Sequence, residues 1–158
     1  MRYPLDRMKI RELQFGRMDP ISNTFGRVRR AGHRAHQGWD LDTPPGTAVY
    51  AISDGELVVG LSPSYGRTIT LTFHHGGRTY YAFYAHLRSA MTGNVSVCEG
   101  ELIGYTGRSG NARGIPADES HLHFEIRTLR HPGRGLKGRI DPGEIFGYGI
   151  YSSRLQSM

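Results

Sequence analysis

The segment Ser120-His121-Leu122-His123-Phe124-Glu125-Ile126 reads as a strand with chemistry on one side only. Side chains alternate across a strand, so Leu122, Phe124 and Ile126 enter a core while His121, His123 and Glu125 face the other way. Two imidazoles on one surface suit a site where one ring binds a metal and the other moves a proton.

A matching half stands upstream in His36-Gln37-Gly38-Trp39-Asp40. On a helix this spacing would stack the histidine over the carboxylate. Gly38, Trp39 and the following Thr43-Pro44-Pro45-Gly46 argue against a helix, so His36 is read as ending a loop and Asp40 as opening a strand. With His123 they make a set of two nitrogens and one oxygen with a fourth position open, which suits catalytic rather than structural zinc. Other zinc patterns are absent. No His-Glu-x-x-His helix occurs, and a single cysteine excludes zinc-finger and deaminase ligand sets.

Four motifs in order, His36 to Asp40, Tyr84-Ala85-His86-Leu87, Gly104-Tyr105-Thr106-Gly107-Arg108-Ser109-Gly110 and His121-Leu122-His123-Phe124-Glu125, resemble the signature of the lysostaphin-type (LytM-like) zinc metallopeptidases. That family cleaves peptide cross-links in bacterial peptidoglycan. The resemblance runs from about Phe25 to Phe146. It implies Zn2+ held by His36, Asp40 and His123, with His86 and His121 beside the metal as proton-transfer and charge-stabilising groups. Imidazoles, whose ordinary pKa lies near neutrality, fit those tasks. With His86 at the site, alternation along the strand brings Tyr84 near it as well, lining the groove. The departure is Asn111 to Ser120, longer than the usual Gly-rich link, which is expected to form part of the groove wall and to bear on substrate choice. Glu125 is either a partner for a ligand's ring N–H or a surface carboxylate. His33, His74, His75 and His131 receive no role.

The elements that must hold these residues are strands. Thr47 to Ile52, Glu56 to Gly60, Arg67 to Phe73, Arg78 to Leu87, Val95 to Cys98, Leu102 to Thr106 and His121 to Thr128 all read as extended, with Asp54-Gly55 and Gly76-Gly77 at hairpin positions. Within Arg78–Leu87, alternation puts Tyr80, Ala82, Tyr84 and His86 on one face. With 22 glycines and no long amphipathic helix, the pattern predicts an all-β antiparallel sandwich or open barrel, of the duplicated-hybrid-motif kind that the resemblance implies. Residues 1–24 are expected to pack on the sheet through Leu13, Phe15 and Met18. The resemblance implies a peptidase domain over residues 25–146. Residues 147–158 form a tail whose Gly147 to Tyr151 adds an edge strand and whose last residues fray.

At 158 residues the chain is the size of one domain, and the lone Cys98 can close no internal disulfide. Residues 1–11 lack the apolar run of a signal peptide, and no stretch reads as membrane-inserting. The expectation is therefore synthesis in the cytoplasm and action on the periplasm or cell wall after delivery or release. The settings considered are a phage lysis enzyme and an antibacterial effector, the latter with an immunity protein or secretion spike as partner. The net charge of +6 favours polyanions. No helix-turn-helix, finger or RNP pattern supports nucleic acid, and the basic groups, including Arg127 to Arg139, are read as solvated surface. The rival from another class is a catalytically silent envelope-binding domain of the same fold. Retention of all five of His36, Asp40, His86, His121 and His123 counts against it.

Overall fold

The computed structural model describes residues 1–11, 23–29, 32, 34–91, 93–115 and 120–150. Among these, the chain is almost entirely antiparallel strand: β1 (Gly26–Arg29), β2 (Arg34–His36), β3 (Trp39–Asp42), β4 (Ala48–Tyr50), β5 (Gly55–Ser62), β6 (Gly66–His75), β7 (Arg78–Ala90), β8 (Val95–Val97), β9 (Leu102–Thr106), β10 (His121–Arg127) and β11 (Arg139–Ile140). Helix amounts to short 3-10 turns, at residues 23, 32 and Gly110–Ala112, the four-residue α1 (Gly143–Phe146) and residues 149–150. The all-β class expected from the strand pattern is borne out.

β1 and β2 pair with each other, and the other nine strands form one sheet in the order β11-β10-β7-β6-β5-β8, with β3 on β10 and the β4-β9 pair on β7. The 13-residue β7 is the spine. It pairs β6 through most of its length, β10 through Tyr81 to Ala85, and β9 through Leu87 to Ala90. The core lies on one face, where Trp39, Leu41, Ile69, Leu71, Ala82, Tyr84, Leu122, Phe124 and Ile126 are wholly buried. The N-terminal segment joins it: Ile10 bridges to Leu41, Lys9 O accepts from Asp42 N, and Leu5 and Ile10 are buried.

Several local expectations need correction. Gly76-Gly77 is the two-residue hairpin turn between β6 and β7, with φ of 57° and 76°, as left-handed hairpin turns require. Asp54-Gly55 is not a hairpin turn, because β4 pairs with β9 and β5 pairs with β6 and β8. The tail adds no edge strand over residues 147–150: Pro142 leads α1, which ends at Gly147 with φ of 82°. His36 closes a strand rather than a loop. Leu13, Phe15, Met18, His33, residues 116–119 and residues 151–158 lie outside the described residues.

One close approach fixes the site's rear wall. The turn before β6 meets the turn after β9 so tightly that a Cβ on Gly66 would lie 2.2 Å from Ser109 Oγ, and one on Gly110 would lie 2.3 Å from Gly66 N. Both glycines also have positive φ, 69° and 71°. Gly66→Ala should therefore destabilise by at least ~1 kcal/mol more than Gly76→Ala, which meets only the left-handed backbone cost and nothing within 4 Å. Urea unfolding of the two variants checks this difference.

Candidate metal centre

Register determines what meets on the polar face of the sheet. β10 pairs β3 with His123 opposite Asp40 and His121 opposite Asp42, and pairs β7 with His123 opposite Ala85. Residues opposite one another in an antiparallel pair share a face, so Asp40 and His123 stand together while Trp39 and Phe124 go to the core. β2 ends at His36, and Gly38 lets the chain turn directly into β3. A Cβ there would lie 2.2 Å from Phe124 O.

The result is a compact donor set. One ligand atom each from His36, Asp40 and His123 falls within 4.8 Å of the others, and all three residues are buried. His36 Nε2 is 3.2 Å from Asp40 Oδ2, and His123 Nδ1 is 2.8 Å from Asp40 Oδ1. The remaining ring nitrogens are committed elsewhere. His36 Nδ1 is 2.8 Å from Thr24 O. A carbonyl only accepts, so Nδ1 carries the hydrogen and Nε2 keeps its lone pair toward Asp40. His123 Nε2 is 2.7 Å from Glu125 Oε2, which leaves Nδ1 on the Asp40 side. Two imidazole nitrogens and a carboxylate converge, each histidine oriented by an acceptor behind it. That chemistry fits a divalent metal.

Glu125 is the anchor of this arrangement and not a surface carboxylate. It is fully buried, and its Oε1 accepts from Arg127 Nε at 2.7 Å and Arg139 Nε at 2.6 Å. Arg139 Nη1 also donates to Gly133 O and Gly135 O. Arg127 and Arg139, read from sequence as solvated, are buried ion-pair partners. Burial opposes ionisation of Glu125, but the His123 hydrogen bond and the His123, Arg127 and Arg139 charges outweigh it and hold the carboxyl down at about 2. For His123, burial works against the charged ring, yet bonds to Asp40 and Glu125 raise it to about 9, so a metal at Nδ1 would displace a proton. Asp40 is likewise held well below the carboxylate range, with burial overcome chiefly by His36 and His121.

The two further imidazoles lie alongside. The His86 and His121 ring centroids are 5.5 Å apart, and His86 is 6.3 Å from His123. Burial pushes His121 down to about 4, so the ring is neutral near pH 7. Its Nε2 is 3.8 Å from Asp40 Oδ1, and among the described residues its buried Nδ1 has no hydrogen-bond partner. His86 is also lowered by burial. Its Nδ1 is 2.8 Å from Ser109 O, so that nitrogen donates and Nε2 is left as an acceptor.

His86 does not reach the site by strand alternation. Tyr84 pairs with Phe124 on the core face, and its hydroxyl donates to Tyr50 O and accepts from Ile52 N. Tyr84 therefore lines no groove, contrary to expectation. Strict alternation would send His86 to the core as well. Instead the β7 register slips on both sides, and His86 alone among the described non-glycine residues has positive φ, 60°. That conformation costs about 1–2 kcal/mol and turns the ring onto the metal face.

The described histidines without an assigned role, His74, His75 and His131, are exposed, as expected. Sequence reasoning missed Tyr65, whose ring stacks on His123 at 5.9 Å and whose hydroxyl accepts from Gln37 Nε2 at 2.6 Å. Gln37 Oε1 in turn accepts from Gly135 N. Sitting in a turn between two strands, Tyr65 carries no periodic signal.

Comparison with known proteins places this geometry. Residues 34–139 match Peptidase family M23. The DD-carboxypeptidase/endopeptidase Mpg of Neisseria meningitidis is 33% identical over 117 residues, 73% of this chain and 24% of the relative. Peptidoglycan DD-endopeptidase ShyA of Vibrio cholerae is 31% identical over 106 residues, 66% of this chain and 23% of the relative. The chain thus spans about a quarter of the length of these curated relatives. Among solved structures, the catalytic domain of the antimicrobial peptidase lysostaphin from Staphylococcus simulans shares the fold, with a TM-score of 0.56 at 24% identity over 90% of this chain and 88% of that one. The match over residues 34–139, a range that spans most of the strands and contains all five polar-face residues, shows that the chain belongs to peptidase family M23.

Proposed function

We propose that the protein is a zinc-dependent endopeptidase that hydrolyses peptide cross-links or stem peptides of bacterial peptidoglycan. The convergence of His36, Asp40 and His123, with the neutral His121 beside them, carries this reading. The printed activities of the Neisseria and Vibrio relatives support the substrate class. A silent binding domain would not need buried charge held in this order, because an unpaired buried ion is costly.

His36 Nε2, an Asp40 oxygen and His123 Nδ1 would hold the zinc, which when bound supplies Lewis acidity toward the scissile carbonyl and toward water. The protein's own groups do the rest. His121, kept neutral by burial, has a lone pair available to take a proton near neutral pH. His86, fixed through Ser109 O, presents Nε2 to the same space, where it can hold a proton for the leaving amine or stabilise developing negative charge. Glu125, braced by its arginines, keeps the His123 ring from rotating away. The biological setting we favour is delivery or release across the inner membrane, as an antibacterial effector with an immunity protein or as a phage lysis enzyme. Among the described residues, no helix is long and apolar enough to cross a membrane.

Three outcomes follow. His36→Ala and Asp40→Ala should lose zinc and hydrolysis together by elemental analysis and muropeptide chromatography. Full zinc content in both would overturn the assignment. His86→Ala and His121→Ala should keep near-normal zinc and lose about 10²-fold or more in rate, whereas Glu125→Gln should weaken zinc affinity by roughly 10–100-fold in a chelator competition. Expressed in the cytoplasm the protein should be tolerated, and fused to an export signal it should lyse a susceptible host unless His123 is replaced by Ala. Equal toxicity without the signal would point to a cytoplasmic target.

A further inference from the structure

Leu87, next to His86 in sequence, and Ser109, whose carbonyl binds His86 Nδ1, help to wall a surface cleft of about 530 Å³ in which the charged residues described are all cationic. Arg67, Arg88, Arg108 and Arg113 line it, and among the described residues no carboxylate does. All four arginines are exposed. Arg108 Nη1 donates to Ile115 O, and Arg88 lies 5.9 Å from the Tyr105 ring. Among the described residues, none of the four has an ion-pair partner, unlike Arg127 and Arg139 at the opposite end of the site.

The cleft is built into the catalytic scaffold. Leu87 and Ser109 form part of its wall. Ser109 O holds His86 Nδ1, while Ser109 Oγ donates to Leu87 O and accepts from Arg67 N at 3.0 Å. Arg67 comes from the start of β6, Arg88 follows His86 by two residues on β7, Arg108 comes from the turn after β9, and Arg113 closes the 3-10 turn. Four chain segments each bring one arginine to the wall of the same concavity. Like charges repel, so such convergence disfavours the empty state and favours an anion that bridges them.

We propose that this cleft binds the free carboxylates of an acidic peptide and so seats the substrate beside His86. The inference rests on the reading of the site as a peptidase acting on wall peptides, and any peptide with a free C-terminus or an acidic side chain offers such a carboxylate. Planar guanidinium forks match carboxylates in two-point contact, and several of them together discriminate a carboxylate from its neutral amide. Arg113 lies within the Asn111–Ser120 segment expected to bear on substrate choice, and its place in the cleft gives that segment a chemical preference.

The test pairs binding with turnover, on the full chain and an Arg67→Gln/Arg113→Gln variant, chosen because neither side chain bonds elsewhere among the described residues. The probe is a purified disaccharide-tetrapeptide with free carboxylates, compared with the same molecule after carboxamide formation. We expect the variant to bind the acidic probe about 10-fold more weakly and to show KM raised by a similar factor with kcat unchanged. The wild type should discriminate against the amidated probe to the same degree. Unchanged affinity in the variant, or equal affinity for the amide, overturns the proposal. So does a short DNA oligonucleotide that displaces the peptide at equal concentration, because the cleft would then be a general polyanion surface. Carboxylate-dependent binding without hydrolysis of any muropeptide would uphold the cleft while sinking the peptidase reading.

Discussion

A buried carboxylate cannot be left alone, and Glu125 meets that constraint in a way that shapes the whole site. Wholly removed from water, it takes two arginines on one oxygen and His123 on the other. Removing one member of such a group leaves the others charged and desolvated, which costs several kcal/mol. Arg139 reaches in from β11 and also ties down the carbonyls of Gly133 and Gly135. Gln37 binds Gly135 N and Tyr65 from the other side. The loop before β11, the hairpin turn before β6 and the strand pair carrying the donor set are therefore braced against a single side chain.

The opposite end of the site is held by different means. There the ordering element is backbone shape: Gly66 and Gly110 allow two turns to touch, and Ser109 sits in the contact with its carbonyl toward His86. Electrostatic bracing at one end and steric closure at the other leave the polar face of β10 between two fixed walls. The strain at His86 persists because both neighbouring registers slip around it.

What could be read in the sequence was whatever follows strand alternation. Leu122, Phe124 and Ile126 entered the core as the pattern required, Asp40 came to His123, and the strand order from Glu56 to Thr128 was visible in the Gly and Pro punctuation. Departures arose where periodicity was broken or where pairing was non-local. A bulge inverts His86 relative to Tyr84, and no alternation rule anticipates that. β4 turns away from its sequence neighbour to pair with β9, because sheet closure outweighed a local hairpin signal. Arg127 and Arg139 looked like surface charge, since burial of a guanidinium depends on a carboxylate that only the folded chain brings near. Tyr65 belongs to a turn, where side-chain position follows from the two strands it joins.

The pairing of β3 with β10 has a consequence for timing. Asp40 and His123 are 83 positions apart, and the segments between them supply the strands on which both rest. Closing so long a loop comes late, after the local hairpins that cost less entropy have formed. The chain therefore has no preformed cage for an ion until its topology is nearly complete. The three donors of His36, Asp40 and His123 are thus a product of the finished sheet and of no smaller piece of it.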